Sequence, residues 1–330
     1  MKKIILFFIV FSASAFAQFA PAVGQVGTSA MHKDSSAFTY WFGESTGDVV
    51  NINRGYQDIS NTSLGYANVG DSTLALEKAG VNSVVSLGDG GEAICHLQNA
   101  AVSLIFNGPG YDFAVFENSF SDSFLELAFV EVSSDGVNYF RFPATSNTDT
   151  TVQTGSFGST DPTLINNLAG KYRALYGTPF DLEELKNEAG LDVDHITYIK
   201  IIDVVGSVQN AYASRDQYGH KINDPWPTAF GSSGFDLDAV GIINAVGDGV
   251  EELSKNYLKI YPNPAANNDV ITLLNAQGNI SIVDVEGKEL FSAFNKENSY
   301  SISLSFLNSG LYFVTVSNDH SVKTQKLVVR

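Results

Sequence analysis

The chain has 330 residues, a formal net charge of −17 at pH 7 and a single cysteine. One cysteine excludes an intrachain disulfide, and so acidic a surface repels phosphate backbones, which argues against nucleic-acid binding. A hydrophobic content of 44%, with 29 Gly, 23 Phe and 14 Tyr, describes a turn-rich β protein, because aromatics suit pleated surfaces and Gly suits tight turns.

Residues Met1–Ala17 read as a secretory signal. Lys2 and Lys3 are basic, Ile4–Phe11 is apolar, and Ala15-Phe16-Ala17 is a small-x-small cleavage site before Gln18. Removing the two lysines takes the net charge to −19. The apolar run is too short for a span, and no other stretch approaches the roughly 20 apolar residues that one needs, so a membrane-spanning chain is not expected.

Residues 18–244 form the expected working domain. An aromatic cluster, Tyr40-Trp41-Phe42, stands in a loop-rich start. Strand-like runs follow at Ser83–Leu87, Ala101–Phe106, Asp112–Phe116, Leu125–Val132, Tyr139–Phe142, Ile196–Val205 and Phe235–Ile243. Gly88-Asp89-Gly90-Gly91, Asn107-Gly108-Pro109-Gly110 and Asp135-Gly136 supply turns between them. Even spacing of short strands predicts an antiparallel sandwich or jelly roll. Two short helices are expected: one from Asp161-Pro162 to about Gly170, and one over Leu182–Ala189. Asp181 would cap the second, Glu184 would complete a capping box, and Gly190 would stop it. Cys95, within Ala93-Ile94-Cys95, reads as a small core residue.

Residues 245–255 read as a polar, Gly-containing linker. Residues 256–330 alternate with period two between turns, which predicts a second, small Ig-like β-sandwich. YPNPA at Tyr261–Ala265, IVDVEGKEL at Ile282–Leu290, GLYFVTV at Gly310–Val316 and KLVVR at Lys326–Arg330 resemble the type A C-terminal sorting domain of the type IX secretion system. That resemblance implies the type IX machinery as partner, and a final location on the outer-membrane surface or outside the cell.

In the working domain, Val84–Gly88, Phe113–Asn118, Val130–Tyr139 and Gly234–Val240 resemble discoidin-like and carbohydrate-binding jelly-roll modules. DFAVFEN and FDLDAVG also resemble an uncharacterised family of bacterial surface proteins. These resemblances imply a fold and leave the chemistry to the residues.

Two candidate sites emerge. Asp236 and Asp238 are two apart, so a regular strand would turn both to one side. Like charges so placed repel unless a cation or donors intervene. With Glu117, Asn118 and Asp203 they form a candidate Ca2+ site, although no EF-hand spacing exists. Trp226, held between Pro225 and Pro227 beside Asn223 and Asp224, is the second candidate, together with Trp41 and Tyr40. Rigid aromatics beside amide and carboxylate suit stacking on sugars or planar ligands, while the alternative is a plug at the end of the sandwich. Gly70-Asp71-Ser72 with Asp192 and His195 matches short blocks of SGNH-type esterases, but the strand–helix alternation of that class is missing. A catalytic site is therefore not assigned.

The expectation is an all-β chain, a jelly-roll-like β-sandwich followed by a small Ig-like sandwich. It binds a glycan or other small-molecule ligand at the cell surface without catalysis. Capture of a cofactor-like nutrient for an outer-membrane receptor, hydrolysis of extracellular polysaccharide and a structural or adhesive role stay open beside it.

Overall fold

The computed structural model describes residues 19–99, 102–246, 258–318 and 322–330. The expected leader Met1–Ala17 and residues 247–255 of the expected linker lie outside the described residues. The chain separates into two compact units, residues 1–249 and 250–330.

The strands of the first unit are β1 (Met31–His32), β2 (Tyr40–Trp41), β3 (Val49–Asn53), β4 (Val85–Ser86), β5 (Glu92–His96), β6 (Leu104–Ile105), β7 (Phe113–Glu117), β8 (Ala128–Ser133), β9 (Phe140–Arg141), β10 (Thr145–Ser146), β11 (Ile165–Asn166), β12 (Tyr176–Phe180), β13 (Tyr198–Asp203), β14 (Asp236–Ile242) and β15 (Ala245–Val246). One sheet has the order β1-β12-β7-β14-β2, with β4 also on β14, and the other runs β3-β5-β13-β8-β9. The chain passes repeatedly from one sheet to the other, and the pairings are antiparallel.

The core lies between these sheets. Val50, Ala93, Cys95, Val130, Val132, Ile199 and Ile201 from one meet Phe113, Val115, Phe180, Leu237, Val240 and Ile242 from the other. Fully burying such a side chain contributes about 1.5–3 kcal/mol, so this layer holds the unit together. In β13 burial alternates, as half-buried strands require. In β7 and β14 every residue is buried. The reason is a second cover: Ala114, Phe116 and Ala239 pack outward against Trp41, Ala79 and Phe38. Another cluster, including Leu125, Leu127, Phe129, Ile165 and Ile222, lies outside the central core.

The expected strand runs contain β4, β6, β9, β13 and β14 and overlap β7 and β8, which each run one residue further. Sequence reasoning missed β12, whose Gly177 and Pro179 read as breakers, and β3, whose Asn51 and Asn53 interrupt the apolar pattern. Both expected helices shrink to single 3-10 turns, Pro162–Leu164 and Leu182–Leu185. Asp161 and Asp181 do cap them, accepting from Thr163 and Glu183. However, Glu184 accepts from the Asn167 side chain at 2.6 Å and completes no capping box. Asp71 is likewise the cap of a 3-10 turn, Ser72–Ala75. Ala245 and Val246 belong to the first unit, where they pair with Ile105 and Leu104.

The second unit contains β16 (Lys259–Tyr261), β17 (Val270–Leu274), β18 (Gly278–Asp284), β19 (Glu289–Asn295), β20 (Ser299–Ser303), β21 (Gly310–Ser317) and β22 (Val322–Val329). They form two sheets, β16-β17-β20 and β19-β18-β21-β22. Ile271, Leu273, Ile280, Ile282, Val314, Val316 and Leu327 fill the space between them. The Glu286-Gly287-Lys288 turn is held by the Asp284 carboxylate, which accepts from the amides of Glu286 and Lys288, both at 2.9 Å.

Candidate functional site

Trp226 does not face solvent. It is 4% exposed, and its indole N–H donates to Asp89 at 3.0 Å. Trp41 is buried between Phe38 and Phe116, with ring centroids 4.9 and 5.1 Å away. Tyr40 is a core residue whose hydroxyl donates to Asp48 at 2.7 Å. Asn223 and Asp224 are buried too. The Asn223 side chain accepts from the Thr154 amide at 2.9 Å and donates to the Val152 carbonyl at 2.8 Å. Asp224 accepts from the Leu127 amide at 3.0 Å. Asn223, Asp224 and Trp226 therefore tie the loop before β14 to neighbouring segments, Tyr40 and Trp41 are packed inward from β2, and the five offer no exposed aromatic platform. Apolar area and satisfied hydrogen bonds are both gained by turning them inward.

The five residues of the candidate cation site divide in the same way. The β14–β7 register shifts between Leu237 and Ala239, and this irregularity at Asp238 breaks the alternation on which the two-apart argument rested. Asp236 accepts from the Ser86 hydroxyl and from the Asn118 side chain. Asp238 accepts from the Gly80 amide at 3.0 Å. Asp203 is committed to the amides of Gly90 and Phe235 at 2.9 and 2.7 Å. Protein donors stand where a cation was expected, and among the described residues no three His, Cys, Asp or Glu side chains are grouped to hold a metal.

What these loops do build is a cavity of about 200 Å³. Asp236, at the start of β14, and Glu126, just before β8, line it together with Phe120, Phe124, Phe157 and Phe230. The wall begins in the β7–β8 loop, where the Ser119 hydroxyl donates to the carbonyls of Ser121 and Phe124. The Phe124 amide donates to the Ser121 hydroxyl at 2.9 Å. So knitted, the loop stacks Phe120 on Phe124 with centroids 4.5 Å apart. Phe157 lies 6.2 Å from Phe124 and 5.8 Å from Phe230. The Ser156 hydroxyl donates to the Pro227 carbonyl at 2.6 Å, joining the last two loops. Phe120 and Phe157 remain 74% and 72% exposed, an unusual state for aromatics that have not found a core.

The acids here stand close to one another. Burial raises Glu126 to about 8, and the nearby Asp236 charge adds to the effect. Burial also raises Asp236, to about 6, against the opposing bonds from Ser86 and Asn118. Glu117, the last residue of β7, is 1% exposed and is pushed well upward by burial, then by Glu126 and Asp236. One of its oxygens accepts from the Ser119 amide at 2.8 Å, while the other, Oε1, has no partner among the described residues. Stripping water from a carboxylate disfavours its charged form, and like neighbours compound the cost.

Sequence reasoning found Asp236, Glu117 and Asn118 but missed Glu126 and the four phenylalanines. Their signal was composition: Ser119-Phe120-Ser121, Ser156-Phe157-Gly158 and Phe230-Gly231-Ser232 each set a large ring in a loop of small polar residues.

In the second unit, the YPNPA and KLVVR motifs meet. The Asn263 side chain donates to the Lys326 carbonyl at 2.7 Å and accepts from the Val328 amide at 3.0 Å. The Ala265 amide donates to the Val328 carbonyl, and the Arg330 amide to the Ala265 carbonyl. β22 is an edge strand, and these bonds satisfy outward groups that its sheet leaves free. Residues 259–330 match the family described as the secretion system C-terminal sorting domain. The tail of this chain is a type IX sorting domain. The sorting domain implies export to the cell surface or the extracellular space, and among the described residues no helix is long and apolar enough to cross a membrane.

No curated protein matches the chain. Among solved structures, PorZ of Porphyromonas gingivalis, a surface component of the type IX secretion system, is 19% identical. The similarity covers 28% of this chain and 14% of that one, with a TM-score of 0.22. A β-glucuronidase from Ruminococcus gnavus is 9% identical over 87% of this chain and 46% of its own, with a TM-score of 0.25. A β-1,2-glucanase from Parabacteroides distasonis is 11% identical over 88% and 39%, also at 0.25. The chain spans less than half the length of each, and scores of this size carry no argument about fold or activity.

Proposed function

We propose that the exported protein binds a saccharide in the cavity between the β7–β8 loop and the loop before β14, without converting it. The observation that carries this reading is the pairing of four phenylalanine rings with two carboxyl groups around one concave space. Aromatic faces take the apolar face of a sugar ring, and carboxyl oxygens and the Ser232 hydroxyl at the rim suit its hydroxyl groups. About 200 Å³ is below the roughly 300–1,000 Å³ of sites for drug-sized ligands, a size for about one ring. The leader at Met1–Ala17 and the sorting domain belong to the same reading, since both direct the chain out of the cell.

A glycan array probed with the full chain tests the proposal. Signal should fall at least tenfold in Phe157→Ala and Phe230→Ala. Binding that both variants retain would place the ligand elsewhere.

One observation favours a second reading, hydrolysis of a glycosidic bond. Glu126 and Asp236 are raised to different extents, as in an acid and base pair. Such an enzyme must hold a sugar on both sides of the bond it cuts, and a cavity for one ring weighs against it. Release of reducing sugar from an array hit, abolished in Glu126→Gln, would decide for hydrolysis.

A further inference from the structure

We infer that the ligand of this cavity carries a protonated amine, and that the site selects an amino sugar over its neutral or acidic counterparts. The inference rests on the reading of the cavity as a saccharide site and adds the charge of the ligand.

Three observations lead there. First, the Glu126 carboxyl lines the cavity without a hydrogen bond or ion pair to any described residue. The neighbouring Glu117 Oε1 is buried and also unpartnered. Glu126 is half-buried, while a carboxyl oxygen as buried as Glu117 Oε1 usually finds a donor, and one that does not calls for an explanation. Second, among the described residues the lining of the cavity contains no Lys, Arg or His. Among the described residues, the charges named as acting on Glu117 and Glu126 are carboxyls. Glu126 in turn raises Asp203 and Asp224, so the row of acids continues inward from the cavity. Third, the walls are phenylalanine faces, whose negative quadrupole attracts cations.

Each ligand class meets this site differently. An acidic sugar such as a uronate brings another negative charge to carboxyls that already repel one another. A neutral sugar leaves that repulsion in place, or requires the carboxyls to keep their protons. An ammonium group relieves it, because each N–H can donate to an acid that lacks a donor while the rings cover its flanks. The amine would sit at Glu126 and Asp236, with the sugar ring against Phe157 and Phe230.

The test is isothermal titration of the full chain with two probes of equal length, a glucosamine tetramer and an N-acetylglucosamine tetramer. They differ at C2 of each ring, a charged amine in one and a bulkier neutral acetamide in the other, so the Glu126 variant is needed to separate charge from bulk. The expected result is at least tenfold tighter binding of the glucosamine tetramer. Glu126→Gln should abolish that preference, the glucosamine tetramer losing at least tenfold more affinity than the N-acetylated one. Asp236→Asn should reduce the preference in the same direction, and tryptophan fluorescence verifies that each variant is folded. Equal binding of the two tetramers overturns this inference and leaves the saccharide reading standing. A preference that survives Glu126→Gln also overturns it, since it would then come from the net charge of the chain. Binding of neither tetramer, nor of any array sugar, overturns both.

Discussion

Replacing Glu126 with Gln should stabilise the first unit at alkaline pH and leave it unchanged in acid. The wild-type carboxyl is held near 8 against an ordinary value of 4.5. The folded state therefore binds this proton more tightly than the unfolded chain does. Stability falls as pH rises from about 4.5, and the loss is complete above about 8. At about 1.4 kcal/mol per pH unit the full displacement corresponds to about 5 kcal/mol. Water reaching the group through the cavity reduces this, and about 2–3 kcal/mol is expected. Gln keeps the shape and never ionises, so the variant gains that amount at pH 8.5. For a unit of this size the gain is a rise in Tm of roughly 5–10 °C, at 2–4 °C per kcal/mol. Trp41 and Trp226 are the only two tryptophans and both lie in the first unit, so fluorescence melts report on it alone. Melts at pH 4 and pH 8.5 decide the matter. An equal shift at both pH values, or a lower Tm for the variant at pH 8.5, would refute the argument that Glu126 is a desolvated acid beside Asp236.

Three further outcomes follow from the same structure. Trp226→Phe keeps a smaller aromatic ring and removes the donor to Asp89, so denaturation followed by circular dichroism should show a loss of about 2 kcal/mol. Were Trp226 a ligand platform, glycan binding would fall and stability would not. Asn263→Ala removes two bonds to the edge of β22 and should lower the calorimetric transition of the sorting domain by about 1–2 kcal/mol. The first unit should melt unchanged, and a shift in its transition would contradict the division into two units. Cys95 is fully buried, with burial raising its thiol to about 12. It should resist iodoacetamide at pH 8 in the native chain and react fully in concentrated guanidinium, whereas native labelling would place it outside the core.

The sequence alone determined the class of this protein, because strand patterning is a local property. Alternation in Ile196–Val205 and Leu311–Val316 is legible without neighbours, and the Asp caps at 161 and 181 act within a few residues of themselves. Order-specific motifs identified the sorting domain for the same reason. What the tertiary structure alone decided is which side chains face outward. Trp226 and Phe230 stand four residues apart in one loop of the same composition, yet Asp89, 137 positions away from Trp226, draws only that ring inward. The one-residue irregularity at Asp238 separated two aspartates that a regular strand would have set on one side. Glu126 carries no mark of its own in the sequence. Its character comes from Asp236 and from Phe157 and Phe230, which the chain brings to it from distant loops, and desolvation exists only where such loops meet.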